Sequence, residues 1–198
     1  MRASVRALAA KFFVSEMTVR RDLKEMEKCN FVRRYNGGAV YGNEYDQLPI
    51  QSRILLHTDE KKILSQKVRK YLADSMTVYI DSSSTALYIL HILAEYRDIT
   101  IVTNSVRCVI EAAQYHIKCI MVGGEYYEAD MCNVGGAAID FLSKINVDVG
   151  FFSAAALSDD GVISDRDEQQ TAVRMAVMKN CGKKIFAFDS SKQHKKML

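Results

Sequence analysis

The stretch SEMTVRRDL, residues 15–23, decides the fold of the N-terminal part of the chain. Serine accepts hydrogen bonds from the free N–H groups at the start of a helix, so a helix is predicted to begin at Glu16 with Ser15 as its cap. At helical spacing, one face of this helix is apolar and the opposite face is largely cationic. The apolar face is formed by Val19, Leu23 and Met26.

Sequence on either side of this helix completes a small domain. Apolar residues at helical spacing predict an earlier helix, namely Val5, Leu8, Ala9, Phe12 and Phe13. Two short helices joined by a tight turn, the second with a cationic face, are typical of a helix-turn-helix. Residues 31–41, FVRRYNGGAVY, then predict a two-stranded wing, because Asn36-Gly37 tolerates the positive φ angles of a tight hairpin. We therefore expect a winged helix-turn-helix domain at residues 1–42.

The charge of the chain is concentrated in this domain. Residues 1–42 hold nine Lys and Arg against four Asp and Glu, a net charge of +5, whereas the rest holds 18 against 20, a net charge of −2. Such asymmetry indicates that the basic end binds a polyanion, and with a winged helix-turn-helix this is expected to be double-stranded DNA. We expect Thr18 and Arg21 near base edges and four cations mainly at phosphates: Arg20, Lys24, Arg33 and Arg34. Ser15 and Asn36 complete the predicted DNA-binding set.

Composition excludes several other classes of protein. No apolar run approaches the roughly 20 residues that span a bilayer, and no apolar signal core is found at the N-terminus, so a cytoplasmic protein is expected. The five cysteines are scattered without a CxxC pair, which favours reduced, structural thiols. The four histidines lack metal-ligand spacing, and no Walker loop or glycine-flanked nucleophilic serine is found. We expect no metal, no cofactor and no catalytic residue.

After a polar stretch with the single proline, Pro49, the sequence pattern changes to α/β. Residues 43–57 are predicted to be a linker and residues 58–198 a second domain. A helix is predicted at residues 59–73 and another at 86–94. Apolar strands are predicted at residues 76–80, 99–102, 117–122, 147–152 and 184–188. Alternation of strands and helices favours a parallel sheet with helices on both faces.

Polar residues follow these strands, and the carboxyl ends of parallel strands share one edge of a sheet, where ligands bind. Hydroxyl-rich turns at the N-termini of helices can bind an anion through their hydroxyl and N–H groups, and Lys192 would add a positive charge. A phosphorylated polyol fits this set, with its hydroxyls on Asp81, Asn104 or the acidic residues that begin at Asp165. The predicted effector site comprises Asp81, Ser82, Ser83, Ser84, Thr85, Thr103, Asn104, Ser105, Gly123, Gly124, Asp165, Glu168 and Lys192. Two alternatives remain open: the turns merely cap helices, or the carboxylates act as bases in an isomerase.

Residues 14–23 together with Gly37-Gly38-Ala39-Val40 resemble the DNA-binding signature of the DeoR family of bacterial transcriptional regulators. The resemblance continues in the family's order through Glu60-Lys61, the strand-end residues above, Val134-Gly135 and Asp189-Ser190-Ser191-Lys192. It implies a winged helix and a sensor domain related in fold to ribose-5-phosphate isomerase and glucosamine-6-phosphate deaminase. It also implies a homo-oligomeric repressor of a sugar-utilisation operon, released by a phosphorylated sugar or sugar-derived intermediate.

The chain departs from the family's pattern in three places. The family has a further helix before Arg2 and continues for some tens of residues beyond Leu198, so this chain is expected to be short at both ends. Residues 153–157, SAAAL, stand where relatives often place glycine and a polar or charged residue. We expect the DNA-binding head, residues 1–42, to be weakly folded in isolation and to bind DNA less tightly than that of a full-length relative. Two other functions stay open: a sugar-phosphate isomerase or deaminase-like enzyme, and a degraded regulator that retains only the sensor.

Overall fold

The computed structural model describes residues 2–28, 31–41 and 48–197. The chain forms two compact units, Met1–Leu56 and His57–Leu198. The elements of the first unit are β1 (Arg2–Ser4), α1 (Val5–Phe12), α2 (Glu16–Lys28), β2 (Val32–Tyr35), β3 (Gly38–Tyr41) and α3 (Ile50–Ile54). Cys29, Asn30 and residues 42–47 of the predicted domain end and linker lie outside the described residues.

Both predicted helices of the N-terminal unit are present. The Oγ of Ser4 caps α1 by accepting the Ala7 N–H at 3.1 Å, and Phe13 ends that helix in the left-handed region with φ of 54°. Helix α2 begins at Glu16, where the Oγ of Ser15 accepts the Thr18 N–H at 3.1 Å. The serine therefore satisfies one of the free donors at the helix start, as the sequence predicts.

The wing has three strands rather than the predicted two. Its order is β1-β3-β2, and β1 pairs with β3 because Arg2–Ser4 is extended and lies along the open side of the hairpin. A Cβ at Gly38 would lie 2.4 Å from the carbonyl oxygen of Ala3, so this close third strand requires glycine there. In the hairpin turn only Gly37, with φ of 89°, takes the positive angle expected of both turn residues.

The core of the N-terminal unit lies between the two helices and the sheet. Its buried residues are Val5, Ala9, Val19, Leu23, Val32 and Ala39. Burying a valine or leucine side chain stabilises a fold by about 1.5–3 kcal/mol. The part of this core that lies in the described residues is small, since two of its six buried residues are alanine. Met26, predicted on the same apolar face, is 41% exposed.

The second unit confirms the predicted α/β class. Its helices are α4 (Thr58–Lys67), α5 (Ser84–Leu87), α6 (Leu90–Leu93), α7 (Val106–Gln114), α8 (Gly136–Ser143) and α9 (Glu168–Lys179). Its strands are β4 (Thr77–Ile80), β5 (Thr100–Thr103), β6 (Lys118–Met121), β7 (Glu125–Tyr127), β8 (Cys132–Val134), β9 (Val147–Phe152), β10 (Ala156–Leu157), β11 (Ile163–Ser164) and β12 (Cys181–Phe186). Short 3-10 turns occur at Val68–Tyr71, Glu128–Asp130 and Ser190–Lys192.

Five strands form one parallel sheet in the order β12-β9-β4-β5-β6. Strand β9 lies beside β4 although four other strands separate them in sequence, so the ends of β4 and β9 meet. The last strand begins three residues earlier than predicted, and the exposed Lys183 and Lys184 are tolerated because β12 is an edge strand. The helix predicted at residues 86–94 is two four-residue helices, α5 and α6.

The core of this unit is large and apolar, and it contains reduced cysteines. Tyr79, Val102, Leu142 and Val177 are among its fully buried members. The four described cysteines are free thiols, and burial raises the pKa of the Cys132 thiol to about 11, so this thiol stays protonated at neutral pH. None of the described helices is long and apolar enough to cross a membrane.

Candidate functional site

Helix α2 presents exposed cations on the side away from the small core. Arg21 is 75% exposed with only a 3.5 Å ion pair to its neighbour Asp22. Arg20 pairs with Glu16 at 3.3 Å and is 54% exposed, and Lys24 is also exposed. Exposed ion pairs of this kind contribute at most about 1 kcal/mol, so a phosphate can replace these partners at little cost.

The wing is tied to α2 through one arginine. The backbone N–H of Arg34 donates to Oε1 of Glu27 at 2.8 Å, and the Arg34 guanidinium lies 3.7 Å from Oε2 of the same carboxylate. This contact fixes the hairpin against the C-terminal half of α2. Arg33 lies beside Arg34 on β2, and Asn36 is exposed at the hairpin tip. The wing and α2 therefore form one surface.

Ser15 and Thr18 are already partners at the start of α2. Their hydroxyl oxygens lie 2.9 Å apart, and the Ser15 hydroxyl also accepts the Thr18 N–H. Ser15 is therefore needed for the helix start whether or not it meets DNA. Thr18 itself is half-buried on the first turn of the helix.

An open apolar groove of about 470 Å³ lies between α1, α2 and the sheet of the N-terminal unit. Phe12 is 62% exposed beside it, and Phe13 at the end of α1 is 95% exposed. The groove is lined by Ala3, Leu8, Phe12, Val14, Val19, Asp22, Leu23, Met26, Val32 and Ala39. Val19 and Leu23 thus pack against α1 and the sheet, and together with residues of both they line this open groove.

In the second unit, Asp81 lies at the carboxyl end of β4 and is 1% exposed. Its Oδ1 accepts the Ser83 N–H at 2.9 Å, and its Oδ2 accepts the Ser153 N–H at 2.9 Å. The Nε of Arg174 donates to the same Oδ2 at 3.3 Å. A carboxylate with three donors from three different segments holds the ends of β4 and β9 against α9.

Arg174 lies between two carboxylates. Besides Asp81, its guanidinium donates through Nη1 to Oδ2 of Asp165 and through Nη2 to Oε1 of Gln170 at 3.4 Å. Burial opposes the positive charge, but the neighbouring carboxylates of Asp81 and Asp165 outweigh it, and the pKa of the guanidinium is raised. This residue therefore stays charged in a buried site.

Gln170 connects this cluster to two further segments. Its Oε1 accepts the hydroxyl of Ser82 at 3.2 Å, and its Nε2 donates to Asp130 at 2.5 Å. Gln170 and Arg174 are one helical turn apart on α9, so they share a face. One face of α9 thus contacts the ends of β4 and the turn before β8.

Lys192 approaches the same edge from the last 3-10 turn. Its side chain is 5% exposed, and its Nζ donates to the Ser153 hydroxyl at 2.9 Å. Glu60 of α4 positions this turn by accepting the N–H of Ser190 at 2.8 Å and its hydroxyl at 3.1 Å. The Ser190 N–H, the Ser190 hydroxyl and His57 lower the pKa of Glu60 from 4.5 to about 2.

The turn after β4 is buried and rich in hydroxyl groups. Ser83 caps α5 by accepting the Ala86 N–H at 3.1 Å. Thr85 is 2% exposed, and its Oγ1 has no hydrogen-bond partner among residues 2–28, 31–41 and 48–197. Oδ2 of Asp189 is buried without a partner in the same described part of the chain. Buried polar atoms left without partners are costly, and a ligand can satisfy them.

The turn after β5 is satisfied by the protein itself. The hydroxyl of Tyr79 donates to Oδ1 of Asn104 at 3.0 Å, and Nδ2 of Asn104 donates to the carbonyl oxygen of Asn133 at 2.9 Å. Thr103 donates to the Ile80 carbonyl at 2.6 Å, and Ser105 caps α7. These side chains hold neighbouring strand ends together.

Comparison with known proteins assigns both units. A family model described as the DeoR-like helix-turn-helix domain matches residues 2–44, and one described as the DeoR C terminal sensor domain matches residues 56–198. The chain belongs to the DeoR family. It is a DNA-binding transcriptional regulator rather than an enzyme.

Curated relatives of this DeoR-family chain are named as repressors. The glycerol-3-phosphate regulon repressor of Escherichia coli K12 is 28% identical over 190 residues, which cover 96% of this chain and 75% of the relative. The transcriptional repressor AccR of Agrobacterium fabrum is 31% identical over 194 residues, covering 96% of this chain and 75% of AccR.

Solved structures support the fold of the second unit. A ribose-5-phosphate isomerase in complex with phospho-erythronic acid matches with a TM-score of 0.52 and 18% identity, over 69% of this chain and 54% of that chain. The eIF2B delta subunit of Chaetomium thermophilum matches with a TM-score of 0.52 and 14% identity, over 69% of this chain and 49% of that one. The match spans about half of each of those chains, and at these identities it shows the fold alone.

The structure of the DeoR-family sensor joins only some of the predicted effector residues. Contacts connect Asp81, Ser82 and Asp165 through Arg174 and Gln170, and Ser153 connects Asp81 to Lys192. Glu168 is exposed in the first turn of α9, and Gly123 and Gly124 are exposed after β6. A Cβ at Gly124 would lie 2.5 Å from the Val134 carbonyl oxygen, so the close approach of the backbone explains why this residue is glycine.

Three residues of the network were missed from the sequence: Ser153, Gln170 and Arg174. One signal was present, because Arg174 falls between the apolar Val173 and Ala176 on α9, where a cation needs a buried partner. Ser153 was noted only as part of the unusual SAAAL segment. Its role depends on β9 lying beside β4, which the order of strands along the chain does not reveal.

Proposed function

We propose that this DeoR-family regulator represses a sugar-utilisation operon and is released by a phosphorylated sugar or sugar-derived intermediate. The observation that carries the proposal is the buried polar edge of the sheet, where a hydroxyl-rich turn, Arg174 and Lys192 converge. Hydroxyls and cations at the carboxyl ends of parallel strands suit a phosphate and the hydroxyls of a sugar. The unpartnered Thr85 hydroxyl and Asp189 oxygen supply additional groups for a polyol.

In this proposal residues 1–42 bind operator DNA, residues 58–198 sense the effector, and residues 43–57 link them. The exposed cations of α2 and of the wing support the first role, and the repressor names of relatives agree with it. A homo-oligomer would present paired heads to the two halves of an operator.

The effector is tested by a thermal-shift screen of phosphorylated sugars, each compared with its unphosphorylated form. We expect at least one phosphorylated sugar to raise the melting temperature and to release the protein from the upstream DNA of its own gene cluster in a gel-shift assay. A stabilising ligand that leaves the DNA complex intact would separate sensing from repression. Failure of every phosphorylated sugar to stabilise the protein would reject the effector class.

The DNA surface is tested by the salt dependence of binding. Replacing one arginine that contacts a phosphate lowers the slope of log K against log salt by about one. We expect this change for Arg34→Ala and Arg33→Ala, with the exposed Lys179→Ala of the sensor as a control that keeps the wild-type slope. Unchanged slopes for both wing variants would reject the wing as part of the DNA-binding surface.

A further inference from the structure

The two carboxylates on Arg174 are held very differently. Asp81 is 1% exposed, and it also accepts the N–H groups of Ser83 and Ser153. Asp165 has an 18% exposed side chain. Besides Arg174, the contact described for its carboxylate is with the adjacent Arg166 N–H at 2.9 Å. Asp165 can therefore leave the guanidinium by a local change of its own loop, whereas Asp81 cannot without parting two strand ends.

The guanidinium that Asp165 binds through Nη1 is also linked to the hydroxyl-rich turn through its other terminal nitrogen, Nη2. Ser82 and Nη2 of Arg174 donate to the same oxygen atom, Oε1 of Gln170. The turn and the guanidinium are thus held at one point, and the buried, unpartnered Thr85 hydroxyl belongs to the same turn. A tetrahedral anion bound by this turn would come within reach of Arg174, whose planar guanidinium binds two oxygens of a phosphate or carboxylate equally well.

We propose that Arg174 binds the anionic group of the effector and that Asp165 competes with that group for the same guanidinium. This inference rests on the proposed effector site and changes the role predicted for Asp165 from a ligand of sugar hydroxyls to an internal competitor. With such a competitor, the apparent affinity for the anion equals the intrinsic affinity multiplied by the fraction of molecules in which the guanidinium is accessible. Release of Asp165 from Arg174 would move the segment before α9. The same segment holds Asp167, which caps α9 by accepting the Gln170 N–H at 2.8 Å, so anion binding would be coupled to the start of this helix.

The test is Asp165→Asn in the full chain, with affinities for inorganic phosphate and for phosphorylated sugars measured by isothermal titration calorimetry. Asparagine keeps the size of the side chain and one acceptor but removes its charge. A hydrogen bond to a charged partner is stronger than a neutral one, so the neutral asparagine competes less well for the guanidinium. We expect about tenfold tighter anion binding, which corresponds to about 1.4 kcal/mol. Asp140→Asn, an exposed change on α8, is the matched control and should leave the affinity unchanged.

Two further measurements make the result decisive. Asp165→Asn combined with Arg174→Lys should lose most of the gain, because the gain requires the guanidinium, and melting temperatures of all variants verify that they fold. If Asp165→Asn binds a phosphorylated sugar more weakly than wild type, or equally well, the competitor role is overturned while the proposed function stands. If inorganic phosphate binds more tightly to Asp165→Asn but no phosphorylated sugar binds, the competitor role stands and the effector class fails. Absence of any anion binding to either protein rejects both.

Discussion

Asp81→Asn should be the most destabilising conservative change in the sensor unit. The carboxylate accepts hydrogen bonds from Ser83, Ser153 and Arg174 at 2.9, 2.9 and 3.3 Å, and it is 1% exposed. An asparagine has one acceptor oxygen, so in either orientation of its amide at least one buried N–H loses its partner. The replacement also removes the negative charge that faces a buried guanidinium.

These losses set the expected magnitude. A buried donor left unsatisfied costs about 1–3 kcal/mol, and removing one member of a buried ion pair costs about 3–5 kcal/mol in total. We take about 3–4 kcal/mol, because Asp165 remains to pair with Arg174. For a unit of this size, about 3 °C in melting temperature corresponds to 1 kcal/mol, which gives a decrease of about 10 °C.

Differential scanning calorimetry of the full chain measures this decrease, and it separates the sensor transition from that of the N-terminal unit. Asp140→Asn is the control, since its carboxylate is 66% exposed and pairs with Lys144 at the surface. Such a pair contributes between zero and about 1 kcal/mol. If Asp81→Asn melts within 3 °C of this control, on the scale of about 3 °C per kcal/mol, Asp81 does not hold the strand ends together.

Three other changes test separate parts of the structure. Ser15→Ala removes the α2 cap and should destabilise the N-terminal unit by about 1 kcal/mol in urea unfolding, whereas Ser15→Asp should restore it. Glu60→Gln should be less stable than wild type above pH 4.5, and this difference should disappear as the pH falls towards about 2, because folding lowers the pKa of Glu60. Urea unfolding midpoints of both proteins across this pH range measure the difference. A difference that stays constant with pH would contradict the prediction. Gly124→Ala should lower the sensor's melting temperature, because φ at this residue is 148° and the new Cβ would lie 2.5 Å from the Val134 carbonyl oxygen. Gly136→Ala is the control, since no heavy atom would lie within 4 Å of its new Cβ.

The sequence predicted those features that depend on local chemistry. The start of α2 at Glu16 follows from the serine cap, and the parallel sheet follows from apolar runs that alternate with helices. The placement of Asp81 and Lys192 at one edge follows from the rule that parallel strands end together. Each of these inferences needs only the residues of one element or one strand end.

The features that were missed depend on which elements become neighbours. Strand β1 has only three residues, too few for a periodic pattern, and its pairing depends on the space left by Gly38. Arg174 and Gln170 belong to the site because α9 packs across the ends of β4 and β9. Strand order and helix packing are properties of the whole fold, so residues that act through them carry little signal in the sequence.

Helix α2 separates two contributions to DNA affinity, the contacts with DNA and the folding of the N-terminal unit. Its outer side carries exposed cations, whose effect on DNA affinity depends on salt, whereas its inner side holds Val19 and Leu23 beside an open apolar groove. The apparent affinity for DNA is the product of the intrinsic affinity and the fraction of heads that are folded. Phosphate contacts determine the salt slope, and core packing determines the folded fraction. A partly folded head would therefore lower the affinity at every salt concentration without changing the slope. A normal slope with a weak affinity would therefore locate the defect in the support of α2 and not in its DNA-facing surface.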